Sequence, residues 1–410
     1  MGNFLIAVLC GLLAMIASTA VYPLVLHYAV KHNIVDNPNA RKLQRVPVPL
    51  LGGAVVYVGI LTGCCVLALF MRSEFILWGF IGMTVMAVIG TWDDMKGLSV
   101  AFRFAVEVSL VGLFIALTGV YIDDLHGLWG VHTLAPWIGV PLSLVTGVGI
   151  INAVNLIDGV DGFSSGYGIM ACGLFGLVFW NVWNPILVIF TMIVIGALIP
   201  FFMHNVFGLR SKMFIGDGGT LMLGILLMLL TFYTLWSKGR CDAMAVEHGV
   251  SLTALTLSFL CIPVFDTLRV MTLRILRGKS PFNPDRTHLH HLFIDMGFSH
   301  LGAAVFILFI NLLVVAAWLV AWKAGASIDV QTYIVVCLGV MVTFGFYKLM
   351  KEQQNGGPCD EEGYPQGTWL WHWFRKLGKF SRREKGPIWS ALRCMMDNRF
   401  LNWGCRTFTK

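Results

Sequence analysis

LAPWIGVPLSLVTGVGIINAVNLIDGVDG, residues 134–162, carries no acidic or basic side chain until Asp158. A bilayer crossing takes about 20 predominantly apolar residues, so residues 134–154 read as a transmembrane helix. The end of this stretch changes character, because Asn152, Asn155, Asp158 and Asp161 follow at successive steps of three. A helix continuing to Asp158 would set these oxygen ligands along one face. Gly159 and Gly162 would then break it and let the backbone approach a ligand closely. Polar groups beside a spanning segment are costly and mark function. The stretch therefore describes an integral membrane protein with an acidic site at one end of its helices.

The rest of the 410-residue chain reads the same way: it is 57% hydrophobic, 12% charged and has a mean hydropathy of +0.76, too apolar for a water-soluble fold of this size. Further apolar runs cover 4–30, 50–70, 75–92, 101–121, 167–182, 186–204, 219–236, 251–275, 303–322 and 331–350. The expected fold class is thus all-α, a polytopic bundle of about eleven transmembrane helices. The first run is taken as a span and not a signal peptide, since Met1-Gly2-Asn3 supplies no basic region and the apolar stretch continues to Val30. With the N-terminus outside, 25 of the 29 Lys and Arg fall on one side, and only Arg72, Lys238, Arg240 and Lys323 on the other. The basic side is the cytoplasm, which puts the C-terminus inside and the protein in the inner membrane. The 10 Cys are scattered without a CxxC pair, so neither a zinc site nor a disulfide framework is expected. No 20–50-residue period repeats, against a solenoid and against an inverted-repeat transporter.

On this topology five polar clusters share the cytoplasmic face. Asp36, Arg41, Lys42 and the turn PVPLLGG (47–53) enter the second span. Asp93 and Asp94 end the third, and adjacent carboxylates there repel each other unless a cation or a proton intervenes. The Asn152 to Asp161 series is the third cluster. FIGDGGT (214–220) offers glycine-exposed N–H groups beside a helix N-terminus, suited to phosphate oxygens, with Asp217 for a cation. PDRTHLHH (284–291) brings Arg286, His288, His290 and His291 together. Zinc is one option for the histidines, but the surrounding carboxylates and amides favour hard-oxygen ligation of Mg²⁺, with the His/Arg group clamping anionic phosphates. Together these describe a diphosphate–Mg²⁺ site for phosphoryl transfer, with the active site facing the cytoplasm. No GxxxxGK[ST] is present, which argues against a P-loop machine.

GTWDD, NAVNLIDGVDG, FIGDGGT and DRTHLHH, in this order with spans between them, resemble the polyprenyl-phosphate N-acetylhexosamine-1-phosphate transferases. They are most similar to the bacterial undecaprenyl-phosphate GlcNAc-1-phosphate branch, over about residues 36–297. The resemblance implies UDP-HexNAc and a polyprenyl phosphate as substrates, Mg²⁺ as cofactor with Mn²⁺ as a substitute, and UMP as leaving group. It implies Asp93 as the base acting on the lipid phosphate with Asp94 beside it, and Asp217 and Asn155 as Mg²⁺ ligands supported by Asp158. It further implies Phe214 stacked on uracil, Asp161 near the uridine, and Arg286, His288, His290 and His291 on the diphosphate; Asn152 and Lys42 complete the substrate-binding set. The family's usual GDxGS is GDGGT here, where Thr220 keeps a hydroxyl. Two alternatives are the phospho-MurNAc-pentapeptide transferase of peptidoglycan synthesis and, from another class, a cation transporter.

Two domains are expected, 1–350 in the membrane and 351–410 as a cytoplasmic linker and tail. Residues 371–410 hold ten Lys and Arg against Glu384 and Asp397, and WLWHWFRKLGKF mixes aromatic with basic residues as an interfacial helix does. A disordered basic tail is the other reading. The bilayer is a partner, a homodimer is compatible with the sequence, and nucleic acid is not expected.

Overall fold

The computed structural model of the chain describes residues 2–37, 46–281, 287–349, 373–374, 376–378, 381 and 387–401. Lys42, Arg286 and most of the linker and basic tail lie outside the described residues. The chain runs through α1 (Gly2–Lys31), β1 (Val35–Asp36), β2 (Val48–Pro49), α2 (Gly52–Phe70), α3 (Glu74–Lys96), α4 (Val100–Thr118), β3 (Asp124–Leu128), β4 (Val131–Thr133) and α5 (Pro136–Leu156). It continues through α6 (Phe163–Asn181), α7 (Pro185–Phe207), α8 (Gly216–Leu235), α9 (Asp242–His248), α10 (Leu252–Phe259), α11 (Cys261–Leu276), α12 (Leu289–Asp295), α13 (His300–Lys323) and α14 (Ile328–Val340). A π-turn over Met341–Gly345 carries this last span on to Leu349, and α15 (Pro387–Leu401) follows in the tail.

Among the described residues ten helices are long and apolar enough to cross a bilayer, and α10 with α11 forms a bent pair that makes an eleventh. The all-α expectation holds, with two short antiparallel hairpins, β1–β2 and β3–β4, added at the helix ends. Large apolar side chains such as Leu5, Val145, Leu177 and Val320 point outward unburied. That is stable only where the surrounding solvent is itself apolar.

At the centre stands α8, buried along nearly its whole length and packed between α3, α5 and α2. On one flank α1, α2, α6 and α7 pack together; on the other α10 and α11 meet α13 and α14.

Two sequence expectations change. The span expected over 251–275 is broken at Leu260, with a bend of 78° between α10 and α11. Pro263 has no N–H to give the carbonyl of Phe259, which leaves that carbonyl free at the break. Neighbouring helices satisfy the freed groups: Phe259 O accepts from Tyr167 Oη at 3.0 Å and Asn311 Nδ2 at 3.3 Å, and Asn311 Oδ1 accepts from Ile262 N at 3.1 Å. The Asn/Asp series is also not one helical face. The helix α5 ends at Leu156, so Asp158 and Asp161 stand in the turn before α6 while Asn152 and Asn155 remain on α5.

Candidate active site

Gly-Asp-Gly-Gly is a poor helix start, and Ile215 at the N-cap of α8 has no side-chain acceptor to offer. The acceptor comes from α3. Asp94 Oδ1 takes the N–H of Asp217 at 3.0 Å and its Oδ2 that of Gly218 at 3.3 Å. Gly216 has φ +69°, and a Cβ there would fall on the Asp94 carboxylate, so glycine is required at this turn. The preceding loop is stitched to the entry of α2. Phe214 N donates to Pro49 O at 2.8 Å, Gly52 N to Phe214 O at 2.9 Å and Gly53 N to Ile215 O at 2.7 Å. The PVPLLGG turn is thereby the second wall of the FIGD loop.

Around this helix start the carboxylates are joined by one guanidinium. Arg103 Nη1 of α4 reaches Asp93 Oδ2 at 3.0 Å and Asp217 Oδ2 at 3.3 Å, while its Nε lies 3.7 Å from Glu107 Oε1. Asp93 Oδ1 also accepts from Leu98 N at 2.6 Å. Asn155 Nδ2 donates to Asp217 Oδ1 at 2.9 Å and to Thr220 Oγ1 at 2.8 Å. Asn152, one turn back on α5, donates instead to the fully buried Glu107 and to Val148 O. Asn152 thus acts on Arg103 through Glu107, away from the Asp158 side.

The turn after α5 carries the other two carboxylates. Asp158 Oδ1 accepts from Ser164 Oγ at 2.7 Å. Its carboxyl is pushed up to about 7, by removal from water on its protein-facing sides and then by the negative charges of Asp217 and Asp161, against the Ser164 bond. Water still reaches it across an open face. Asp161 goes the other way: burial would raise it, but His300 and Lys212 bring it below the ordinary carboxylate range. Its Oδ2 pairs with Lys212 Nζ at 2.6 Å and His300 Nδ1 at 2.9 Å. Lys212 Nζ also lies 5.6 Å from the ring centre of Phe214. Asn205 bridges the same region, accepting from Gly162 N at 2.6 Å and donating to Met213 O at 2.9 Å.

The histidine cluster docks onto α11 and onto that turn. Asp266 Oδ2 meets His288 Nδ1 at 2.9 Å, and its Oδ1 meets the buried Arg269 Nη2 at 2.7 Å. His288 and His290 lie ring over ring, 5.8 Å apart, and His290 sits 4.3 Å from His291. A Cβ on Gly159 would fall on the His290 ring, so glycine lets the turn touch this cluster. Burial, then the neighbouring His291 and His288, hold His290 well below its ordinary value. Those surroundings favour the neutral form of the ring.

Asp93, Asp94, Asn155, Asp158, Asp161, Phe214, Asp217, His288 and His290 thus gather at one end of the bundle, with His291 beside His290 and Asn152 a turn deeper. Sequence reasoning missed Arg103, Glu107, Asp266, Arg269, Lys212 and His300 as members of the site. A signal existed for four of them: Arg103 and Glu107, and Asp266 and Arg269, are opposite charges at helical spacing inside otherwise apolar runs.

The donor set can be tested against a divalent cation. Among the described residues no group of three His, Cys, Asp or Glu side chains stands at ligand spacing. Mg²⁺ instead takes one or two carboxylates and fills its shell with water and phosphate oxygens. Asp93 and Asp217 already share one cationic group, Arg103, between facing oxygens. A pair of carboxylates that needs a positive charge, backed by the Asn155 amide, fits such an ion.

The sequence pattern of glycosyl transferase family 4 matches residues 76–235. The undecaprenyl-phosphate alpha-N-acetylglucosaminyl 1-phosphate transferase of Escherichia coli K12 is 32% identical over 285 residues, 68% of this chain and 74% of that protein. The Yersinia pestis protein of the same description is 30% identical over 292 residues, again 68% and 74% of the two chains. A probable undecaprenyl-phosphate N-acetylglucosaminyl 1-phosphate transferase of Bacillus subtilis is 26% identical over 303 residues, covering 73% and 79%.

Proposed function

Because the chain belongs to glycosyl transferase family 4, we propose that it is a polyprenyl-phosphate sugar-1-phosphate transferase. It moves N-acetylhexosamine 1-phosphate, with GlcNAc as the sugar, from UDP to undecaprenyl phosphate. The observation that carries this reading is the convergence of Asp93, Asp94, Asn155 and Asp217 on the N-terminus of α8, joined through Arg103. Relatives described as transferring this group to undecaprenyl phosphate support the same acceptor and sugar.

In the reaction an oxygen of the lipid phosphate attacks the β-phosphorus of the UDP-sugar. The bond from that phosphorus to the bridging oxygen breaks, and UMP leaves with the electron pair. Asp93, oriented by Arg103 and Leu98 N, accepts or orients the proton of the lipid phosphate. Asp94 keeps Asp217 in place by capping α8. Asp217 and Asn155 would hold Mg²⁺, or Mn²⁺ in its stead, which supplies charge neutralisation for the diphosphate when bound. Phe214, Asp161 and Lys212 form the nucleoside side, and His288 and His290, backed by Asp266 and Arg269, the diphosphate side. The Lys and Arg bias supports a site facing the cytoplasm of the inner membrane.

Purified protein in nanodiscs, given undecaprenyl phosphate, Mg²⁺ and a panel of UDP-sugars, should release UMP with UDP-GlcNAc. Asp217→Ala should lose about a thousandfold or more in rate, the several kcal/mol that a positioned metal supplies. Absence of UMP release with every sugar, or full activity of the variant, would overturn the reading.

A further inference from the structure

The described residues of the C-terminal segment come back to the site end of the bundle and grip it at two points. The helix α15 packs beside the end of α7, with Trp389 edge-on to Phe207 at 4.9 Å. Asp397 on this helix faces the turn that follows α7. Its Oδ1 accepts from the backbone N–H of Leu209 at 3.2 Å, Arg210 at 3.1 Å and Ser211 at 3.4 Å, and from Ser211 Oγ at 3.4 Å. Successive backbone N–H groups that converge on one oxygen form an anion-binding concavity, and the anion here is a carboxylate of the chain itself. Asp397 is one of only two acidic residues between 371 and 410, so its position opposite a turn containing Arg210 and Lys212 is not a matter of composition.

At the second point Ser299 N donates to Ser381 Oγ at 3.1 Å and Ser299 Oγ donates to Ser381 O at 3.1 Å. Phe374, buried against Phe306 and Phe346, anchors the segment nearby. The two grips share a target. The residue after Ser211 is Lys212 and the residue after Ser299 is His300, and these are the two partners of Asp161. No tail residue among those described bonds directly to Asp93, Asp94, Asp158 or Asp217.

We propose that the C-terminal segment is a positioning element for the nucleoside side of the site, in which Asp397 and Ser381 set Lys212 and His300 on Asp161 and so fix the affinity for the uridine nucleotide. This rests on the reading of Phe214, Asp161 and Lys212 as the nucleoside side. Residues that hold the lipid phosphate are not gripped, so donor affinity and turnover separate.

The full chain in nanodiscs is compared with Asp397→Ala, Asp397→Asn and Ser381→Ala. Amide exchange of residues 207–215 and direct titration with UMP and UDP-GlcNAc, without lipid acceptor, are measured beside steady-state kinetics. Asp397→Ala should exchange faster at 209–211 and bind both nucleotides about tenfold more weakly, the size expected when hydrogen bonds to one charged group are lost. KM for UDP-GlcNAc should rise with it, while kcat and KM for undecaprenyl phosphate stay unchanged. Asp397→Asn, which keeps an acceptor, should retain most of the affinity, and Ser381→Ala should weaken nucleotide binding in the same sense through His300. Unchanged exchange, faster exchange with unchanged affinity, or a fall in kcat at constant KM would each overturn the assignment. If Asp397→Ala does not fold, the asparagine and serine variants decide by the same readouts. A wild-type protein that binds no uridine nucleotide sinks the underlying functional reading, and that failure is visible before any variant is compared.

Discussion

Asp158 stands in the turn after α5, bonded to Ser164 and facing the charges of Asp217 and Asp161, and its carboxyl is pushed up to about 7. A carboxyl raised in the folded protein binds more protons than it does unfolded, so stability falls as pH rises from the ordinary carboxylate value through about 7. In metal-free protein Asp158→Asn should therefore melt at a higher temperature than wild type at pH 8.5, with the gain gone at pH 4. Because water reaches the group, the gain is only a fraction of the about 1.4 kcal/mol per pH unit that an enclosed carboxyl would give. Thermal scans across that range check it, and an advantage that grew toward acid would contradict the sign. Neighbouring residues also divide labour in ways their types do not reveal. Asp93 and Asp94 are chemically identical in the sequence, yet Asp93 faces Arg103 while both oxygens of Asp94 are taken by backbone N–H groups of α8. Hydropathy and motif spacing located the pair; the packing of α3 on α8 shows which member caps the helix.

At the scale of elements the spans were legible because a bilayer demands length and apolarity, and both are visible in a window of residues. The bend between α10 and α11 was not. Residues 251–275 carry no charge apart from Asp266, Arg269 and Arg274, and Pro263 alone does not announce a bend, since α1, α5 and α7 run through prolines of their own; the freed backbone groups are served from afar, by Asn311, 49 positions from Ile262, and by Tyr167. Asn311→Leu fills the volume and removes those bonds. It should lower stability by about 2–4 kcal/mol, the cost of leaving several buried polar groups unpaired. Thermal unfolding in detergent measures this, and a loss under about 0.5 kcal/mol would mean that Tyr167 alone suffices. Beyond the bend, α11 sets Asp266 against His288, with Arg269 on the same carboxylate, so the variant should lose activity along with stability.

For the whole molecule, the sequence argued that every polar cluster belongs to one face, from the parity of spans and the distribution of Lys and Arg. The structure gathers the described members of those clusters at one end of the bundle, with the β3–β4 hairpin and α9 at the other, where His126 meets Asp242. Which end faces the cytoplasm can be read directly by introducing single cysteines at the exposed Lys96 and Trp129 in a background without other accessible thiols. A membrane-impermeant maleimide on intact cells should label Trp129→Cys and spare Lys96→Cys until the membrane is opened; the reverse pattern would invert the orientation. What the sequence could not supply was the contribution of the tail, whose hydrogen bonds to the bundle join positions 82 to 188 apart and have no local signature. The cap of α8 by Asp94 also sets an order of assembly. Asp94 and the amide it caps are 123 positions apart, so at ~5–20 residues per second the ribosome makes α3 on the order of ten seconds before α8 exists. Throughout that interval the carboxylate waits at the membrane boundary with water for a partner. A chain arrested before α8 thus holds the acidic pair of α3 without the helix start it organises, so the candidate site cannot begin to assemble until α8 is made.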